Sequence, residues 1–403
     1  MIRRVARALA LLGAALGGLG ACAPDARPDD PRREVVLWHS YRGAERDTLE
    51  SLAAQFERGH TDLRVRLLPV PYDALPDKLT AAVPRGNGPD LFVFAHDRVG
   101  DWADAELLEP LGVRVAPRDA DRFARATLDA LSHGGELWGL PLAFKCLALY
   151  RHTGLAPEAP ATTDALIAAA GVARSRDASV WGVAWELDSL YFHAPWLHGF
   201  GGAVYGGDAD APAFDSPAGA RSVDFVRSLV SARALVPPEP TSALTTSLFR
   251  DGKLAFVVSG PWFRGELEGV SGWAVSPLPV VSETGRAAAP FLGVEAVLVS
   301  RRAREKDAAF ELARFLTDDA AATTRFAEAG QLVANLSVHA TSDFQADAFA
   351  RAFAQQVEHT VPLSNRPHMR RVWTPVKDAL GAAIVRGEDA STALGRAAQA
   401  VRP

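Results

Sequence analysis

The sequence predicts an α/β chain of two lobes that face each other across a cleft. Three observations carry this. Strand-like and helix-like segments alternate from Glu34 onward, the pattern of a parallel sheet with helical crossovers. The alternation starts afresh near residue 145, after an apolar run that continues past the end of the first sheet. A strand beginning at Phe291 is long enough to cross back, and no long flexible linker separates the halves, so strand-like crossings would form a hinge.

The elements follow in order. "EVVLWHS" (34–40) reads as a buried strand, and Leu49, Leu52, Ala53 and Phe56 give 44–58 one apolar helix face. Leu63, Val65 and Leu67 alternate as in a strand, a short helix spans 72–83, and a turn at Asn87-Gly88-Pro89 leads into a third strand at 91–95. Strands at 136–140 and 143–150 flank Pro141. The second unit has helices at 163–171, 191–199 and 217–232 and strands at 181–185, 254–259 and near 273. After the strand at Phe291, helices are expected at 306–316, 320–328, 346–357, 375–386 and 389–401.

The first residues are excluded from the fold. Arg3, Arg4 and Arg7 precede an apolar stretch of small residues and leucine over 8–19, shorter than the roughly 20 residues that span a bilayer. Leu19-Gly20-Ala21-Cys22 resembles a bacterial lipobox, so residues 1–21 are expected to be a lipoprotein signal peptide and Cys22 the lipid-attachment site. A Pro/Asp/Arg-rich tether over 22–33 should be disordered. Removing the three arginines takes the formal charge from −5 to −8, which argues against nucleic acid as a partner. Cys146 is then the one cysteine of the folded part, so no intrachain disulfide forms, and its apolar neighbours predict a buried, inert thiol.

Candidate chemistry gathers at strand ends. Open α/β sheets bind ligands beyond the carboxyl ends of their strands. "HSYR" (39–42) follows the first strand and "HDR" (96–98) the third, which puts both polar groups on one edge, as a ligand site or as a solvated rim. Trp262 follows Gly260-Pro261 at a strand end, and Trp373 starts a helix beside Arg370 and Arg371. Exposed aromatic faces beside Asp and Arg suit a sugar, whose C–H face stacks while its hydroxyls bond; the alternative for each ring is a cover over the core. The sequence lacks G-x-S-x-G, H-E-x-x-H and phosphate-loop patterns, and His193 and His198 stand five apart, unsuited to one metal. No cofactor is implied.

Several segments resemble one family. "GNGPDLFVFAHDRVGDWADAELLEPL", "ELWGLPLAFKCLALYR", "YFHAPWLHGFGG", "FRDGKLAFVVSGPW", "LTDDAAATTRFAEAG" and "VWTPVKDALGAAIVRG" are similar, in order, to extracellular solute-binding proteins of the maltose/maltodextrin-binding type, receptors of ATP-binding-cassette importers. The resemblance implies the type II two-lobed periplasmic-binding-protein fold, with lobes of 34–143 plus 294–343 and 144–293 plus 344–403. It implies sugar contacts at Asp97 and Arg98, at Phe94 where maltose binders usually carry Trp, at Tyr41 and Arg42, at Tyr191, and stacking by Trp262 and Trp373. Departures are Lys145 in place of an acid at the first crossing, Ser189 in place of an acid (with Glu186 and Asp188 nearby) and Ser242 in place of a tyrosine. Lys145 is read as a ligand contact or as a hinge ion pair with Asp97 or Glu295.

The expectation is a non-enzymatic, monomeric lipoprotein on the periplasmic or extracellular face. It captures maltose, maltodextrin or a related α-glucoside and delivers it to two permease subunits driven by an ATP-binding subunit. A phosphorylated polyol is the alternative solute, since Lys145, Arg42 and Arg98 could surround an anion. A secreted glycan-cleaving enzyme is the alternative class, and would need a carboxylate pair in the cleft.

Overall fold

The computed structural model describes residues 30–206 and 211–402. The residues read as a signal peptide, and Cys22, lie outside these residues. Order begins within the tether: Arg32 pairs with Asp30 and Glu57 (2.7 and 2.9 Å), and Arg33 opens the first strand. Among the described residues no helix is long and apolar enough to cross a membrane.

The main elements are β1 (Arg33–His39), α1 (Gly43–Gly59), β2 (Leu63–Pro69), α2 (Leu75–Ala82), β3 (Leu91–Ala95), α3 (Val99–Asp104), β4 (Gly139–Lys145), β5 (Ala148–His152), α4 (Thr163–Arg176), β6 (Trp181–Ala184), α5 (Leu190–Gly199), α6 (Pro217–Val230), α7 (Ser242–Arg250), β7 (Leu254–Ser259), β8 (Trp273–Ser276), β9 (Phe291–Val299), α8 (Lys306–Leu316), α9 (Asp319–Ala329), α10 (Ala348–Val357), β10 (Val361–Pro362), α11 (Trp373–Leu380) and α12 (Ala390–Val401). β1, β2 and β3 run parallel, and β9 lies antiparallel between β3 and β4, with β10 joining its start. The second sheet has the order β8-β5-β7-β6. Chain crosses between the sheets at Lys145–Ala148 and again where β9 begins.

Each sheet is buried for a sequence-level reason. β3 is apolar on both faces because helices cover both sides, and β7 is buried at all six positions. α1 buries Leu49, Leu52, Ala53 and Phe56 on its predicted face. The predicted helix over 346–357 is split, because Asp347 caps the second piece by accepting from the Phe349 and Ala350 N–H groups. The last turn of the predicted 375–386 helix widens into a π turn at 381–385. α7 is absent from the sequence reading: its Thr and Ser content hides a helix that is capped by Thr241, whose hydroxyl accepts from the Leu244 N–H.

Candidate functional site

β1, β2 and β3 are parallel, so their carboxyl ends share one edge. Glu295 of β9 lies opposite Ala95 at the end of β3, and Lys145, the last residue of β4, lies opposite Gly293. This register brings Ser40, Tyr41, Glu45, Tyr72, Phe94, Lys145, Gly293 and Glu295 around a cavity of about 300 Å³. Several polar atoms near it are buried without a hydrogen-bond partner: Ser40 Oγ, Tyr41 Oη, Glu295 Oε2 and, one turn beyond β3, Asp97 Oδ1. Buried polar atoms ordinarily find partners, so orphans converging on one hollow indicate that a polar ligand or water completes them. Three larger hollows, of about 470, 610 and 860 Å³, lack this convergence.

Electrostatics sharpen the edge. Lys145 Nζ lies 3.3 Å from Glu295 Oε1, which selects Glu295 as its partner. Burial raises the Glu45 and Asp97 carboxyls above the usual range and pushes the Tyr72 phenol up to about 12, so Tyr72 remains a hydroxyl donor. With Glu45 and Glu295 on the wall and Lys145 already paired, the cavity favours hydroxyls over a phosphate.

His96 has a larger role than shaping the turn after β3. It is fully buried, and its ring bridges two segments distant in sequence. The Val294 N–H donates to Nδ1 (3.1 Å), which leaves the proton on Nε2, and Nε2–H donates to the Leu363 carbonyl (2.8 Å). The neutral ring thus joins β3 to β9 and to the segment after β10, and burial lowers its pKa accordingly. Nearby, the Gly100 N–H donates to Asn365 O, and Arg370 pairs with Asp101.

A row of aromatic rings begins at Trp262, just past β7 of the second sheet, where it lines the hollow of about 860 Å³. Trp262 is 47% exposed, and its ring centre lies 6.2 Å from that of Tyr191. Tyr191 lies 6.2 Å from Phe291, and Phe291 lies 6.3 Å from Trp373. Trp262 owes its position to Gly260, since a Cβ there would fall within the indole, and the buried Tyr150 hydroxyl fixes this turn by donating to the Gly260 carbonyl (2.8 Å). On the first lobe, Tyr72 is 48% exposed and stacks on Phe94, with ring centres 4.6 Å apart at 16°.

Of the residues expected at the site, Tyr41, Phe94 and Lys145 line the cavity. Asp97 and Arg98 follow on the turn at its rim, where their charges act on the Tyr72 hydroxyl. Tyr191, Trp262 and Trp373 form the aromatic row. Arg42 is exposed at the N-cap of α1 and does not line the cavity. Sequence reasoning missed Tyr72, Glu45 and Phe291. The strand-end rule could have found Tyr72, which lies three residues past β2. Cys146 is fully buried, and burial pushes its thiol well up.

Residues 51–352 match the family model described as bacterial extracellular solute-binding protein. The chain is 26% identical over 351 residues to the maltotriose-binding protein of Pyrococcus abyssi (strain GE5 / Orsay), covering 86% of this chain and 76% of that one. It is 26% identical over 403 residues to the galactooligosaccharide-binding protein of Bacillus subtilis (strain 168), covering 95% and 93%. The solved structure of a cyclo/maltodextrin-binding protein with maltotetraose superposes with a TM-score of 0.85 at 26% identity, covering 93% and 98%.

Proposed function

Because the chain belongs to the bacterial extracellular solute-binding proteins, we propose that it captures an oligosaccharide between its lobes for an ATP-binding-cassette importer. The solute is a maltooligosaccharide or a related α-glucoside. One observation carries the reading. The edge of one sheet supplies a hollow with orphaned buried hydroxyl and carboxylate atoms, and the other lobe supplies a row of rings, the two complements of a sugar. Sugar rings stack on Trp262, Tyr191 and Trp373, while Tyr41, Asp97, Arg98 and Glu295 bond hydroxyls. Tyr72 adds a ring from the first lobe. The protein does no bond chemistry and hands its solute to membrane permease subunits, held near them by a lipid on Cys22.

A galactosyl oligosaccharide is the second reading, favoured by the full-length similarity to the galactooligosaccharide-binding relative. Titration calorimetry with maltotriose, a β-galactosyl oligosaccharide and glycerol phosphate decides among these. Heat from maltotriose alone supports the first reading, heat from the galactoside the second, and heat from glycerol phosphate alone rejects both.

A further inference from the structure

Behind the cavity lies a buried charge that the sugar reading leaves unused. Arg325, midway along α9, is 3% exposed. Its Nη1 donates to the Leu142 carbonyl (2.8 Å) and to Gln331 Oε1 (3.3 Å). That carbonyl is available because the β4–β9 register shifts between Glu295 and Ala296, where Ala143 and Pro141 are the successive partners and Leu142 is skipped. Gln331 returns to Arg325 because α9 stops at Gly330, whose φ of 63° turns the chain. The Gln331 amide then donates from Nε2 to Glu45 Oε1 (3.2 Å), and Glu45 lines the cavity.

This chain has one polarity. A guanidinium only donates, so Gln331 must present its oxygen to Arg325 and its NH₂ to Glu45. Glu45 is thereby held as an acceptor, with Oε2 left for the hollow. Burial brings Arg325 down to about 10, so it stays cationic at neutral pH, and its Nε and Nη2 have no partner. Its charge acts on Tyr41 and Glu295, both in the cavity wall.

We propose that Arg325 and Gln331 are positioning residues for the ligand: they fix Glu45 as an acceptor at the cavity floor, which selects a sugar unit presenting a free hydroxyl there. The inference rests on the oligosaccharide reading. A purely structural Arg325 would alter stability and leave the affinity of the folded protein unchanged.

The test is calorimetry with maltotriose on the full chain, with thermal melts alongside. Gln331→Met keeps Arg325 on Leu142 and removes the relay. It is expected to weaken maltotriose by roughly tenfold, as for a hydrogen bond to a charged group, at a melting temperature within a few degrees of the parent. Arg325→Lys should restore part of the affinity lost in Arg325→Met. Gln331→Met added to Glu45→Gln should cost little more than Glu45→Gln alone, because the relay acts through Glu45. Binding by Gln331→Met within twofold of the parent overturns the proposal, as do additive effects of the two changes or an Arg325→Lys no better than Arg325→Met. A parent protein that binds no oligosaccharide overturns both this proposal and the reading beneath it.

Discussion

Trp262→Ala separates a ligand platform from a piece of core. The side chain is 47% exposed without ligand. An indole contributes up to about 250 Å² of surface, so roughly 120 Å² remains for a sugar to cover. At about 25 cal/mol per Å² that is ~3 kcal/mol, and incomplete coverage brings it to about 2–3 kcal/mol. The expected weakening of oligosaccharide binding is therefore roughly 30- to 150-fold. Stability should fall by up to about 3 kcal/mol, the share of the ring already covered by Gly260 and Tyr191, which lowers the melting temperature by only a few degrees in a chain of this length. Calorimetry gives the affinity, and a melt gives the stability of the same sample. Binding within threefold of the parent would refute the platform. So would a melting temperature lowered by ten degrees or more, which would mark Trp262 as core.

Further outcomes follow from the same geometry. Gly260→Ala, which leaves the indole in place chemically but displaces it, should weaken binding at least tenfold, and retained quenching of tryptophan fluorescence by sugar would contradict this. His96→Ala removes the partners of the Val294 N–H and the Leu363 carbonyl, each buried group costing about 1–3 kcal/mol, so urea unfolding should show a loss of about 2–6 kcal/mol. Burial lowers the pKa of His39, His96, His193 and His198, with His193 at about 3. The unfolded chain then takes up more protons than the folded one below the ordinary histidine value. Stability is full above pH ~6.5 and falls as pH drops toward 3, and a melting temperature that rises between pH 6.5 and 5 would contradict it. Lys145→Gln should change stability by less than about 1 kcal/mol, since the Lys145 side chain is about half exposed, while a drop in sugar affinity would identify it as a ligand contact.

The fold was legible where periodicity and turn chemistry agreed. Strands ending at His39, Ala95 and Ser259 and the helix over Lys306–Leu316 lie within a residue of their expected ends, because apolar runs meet Gly, Pro or polar residues there. The shared edge was legible too, since parallel strands fix which ends align. What one edge of β9 contributes was legible only as one of two possible partners for Lys145. Glu295 reaches the cavity only through its register against Ala95, and register is a property of two segments 200 residues apart. Tyr72 was hidden by its place in a short 3₁₀ turn, and the Arg325–Gln331–Glu45 relay by its spread over α1, α9 and the loop that follows.

His96 and Asp97 make the strand end more than a binding edge. Asp97 is the proposed sugar contact, and its neighbour holds the start of β9 and the segment after β10. The same five-residue strand therefore anchors both a proposed sugar contact and two of the segments that connect the lobes. Val294's neighbours Gly293 and Glu295 line the cavity as well, so the proposed sugar contacts converge on the backbone that His96 fixes. The aromatic row meets this backbone too, because Phe291, the ring between Tyr191 and Trp373, is the first residue of β9. A ligand that bridges cavity and row thus favours one setting of β9 relative to both lobes, and its differential affinity for that setting is the free energy available for closure.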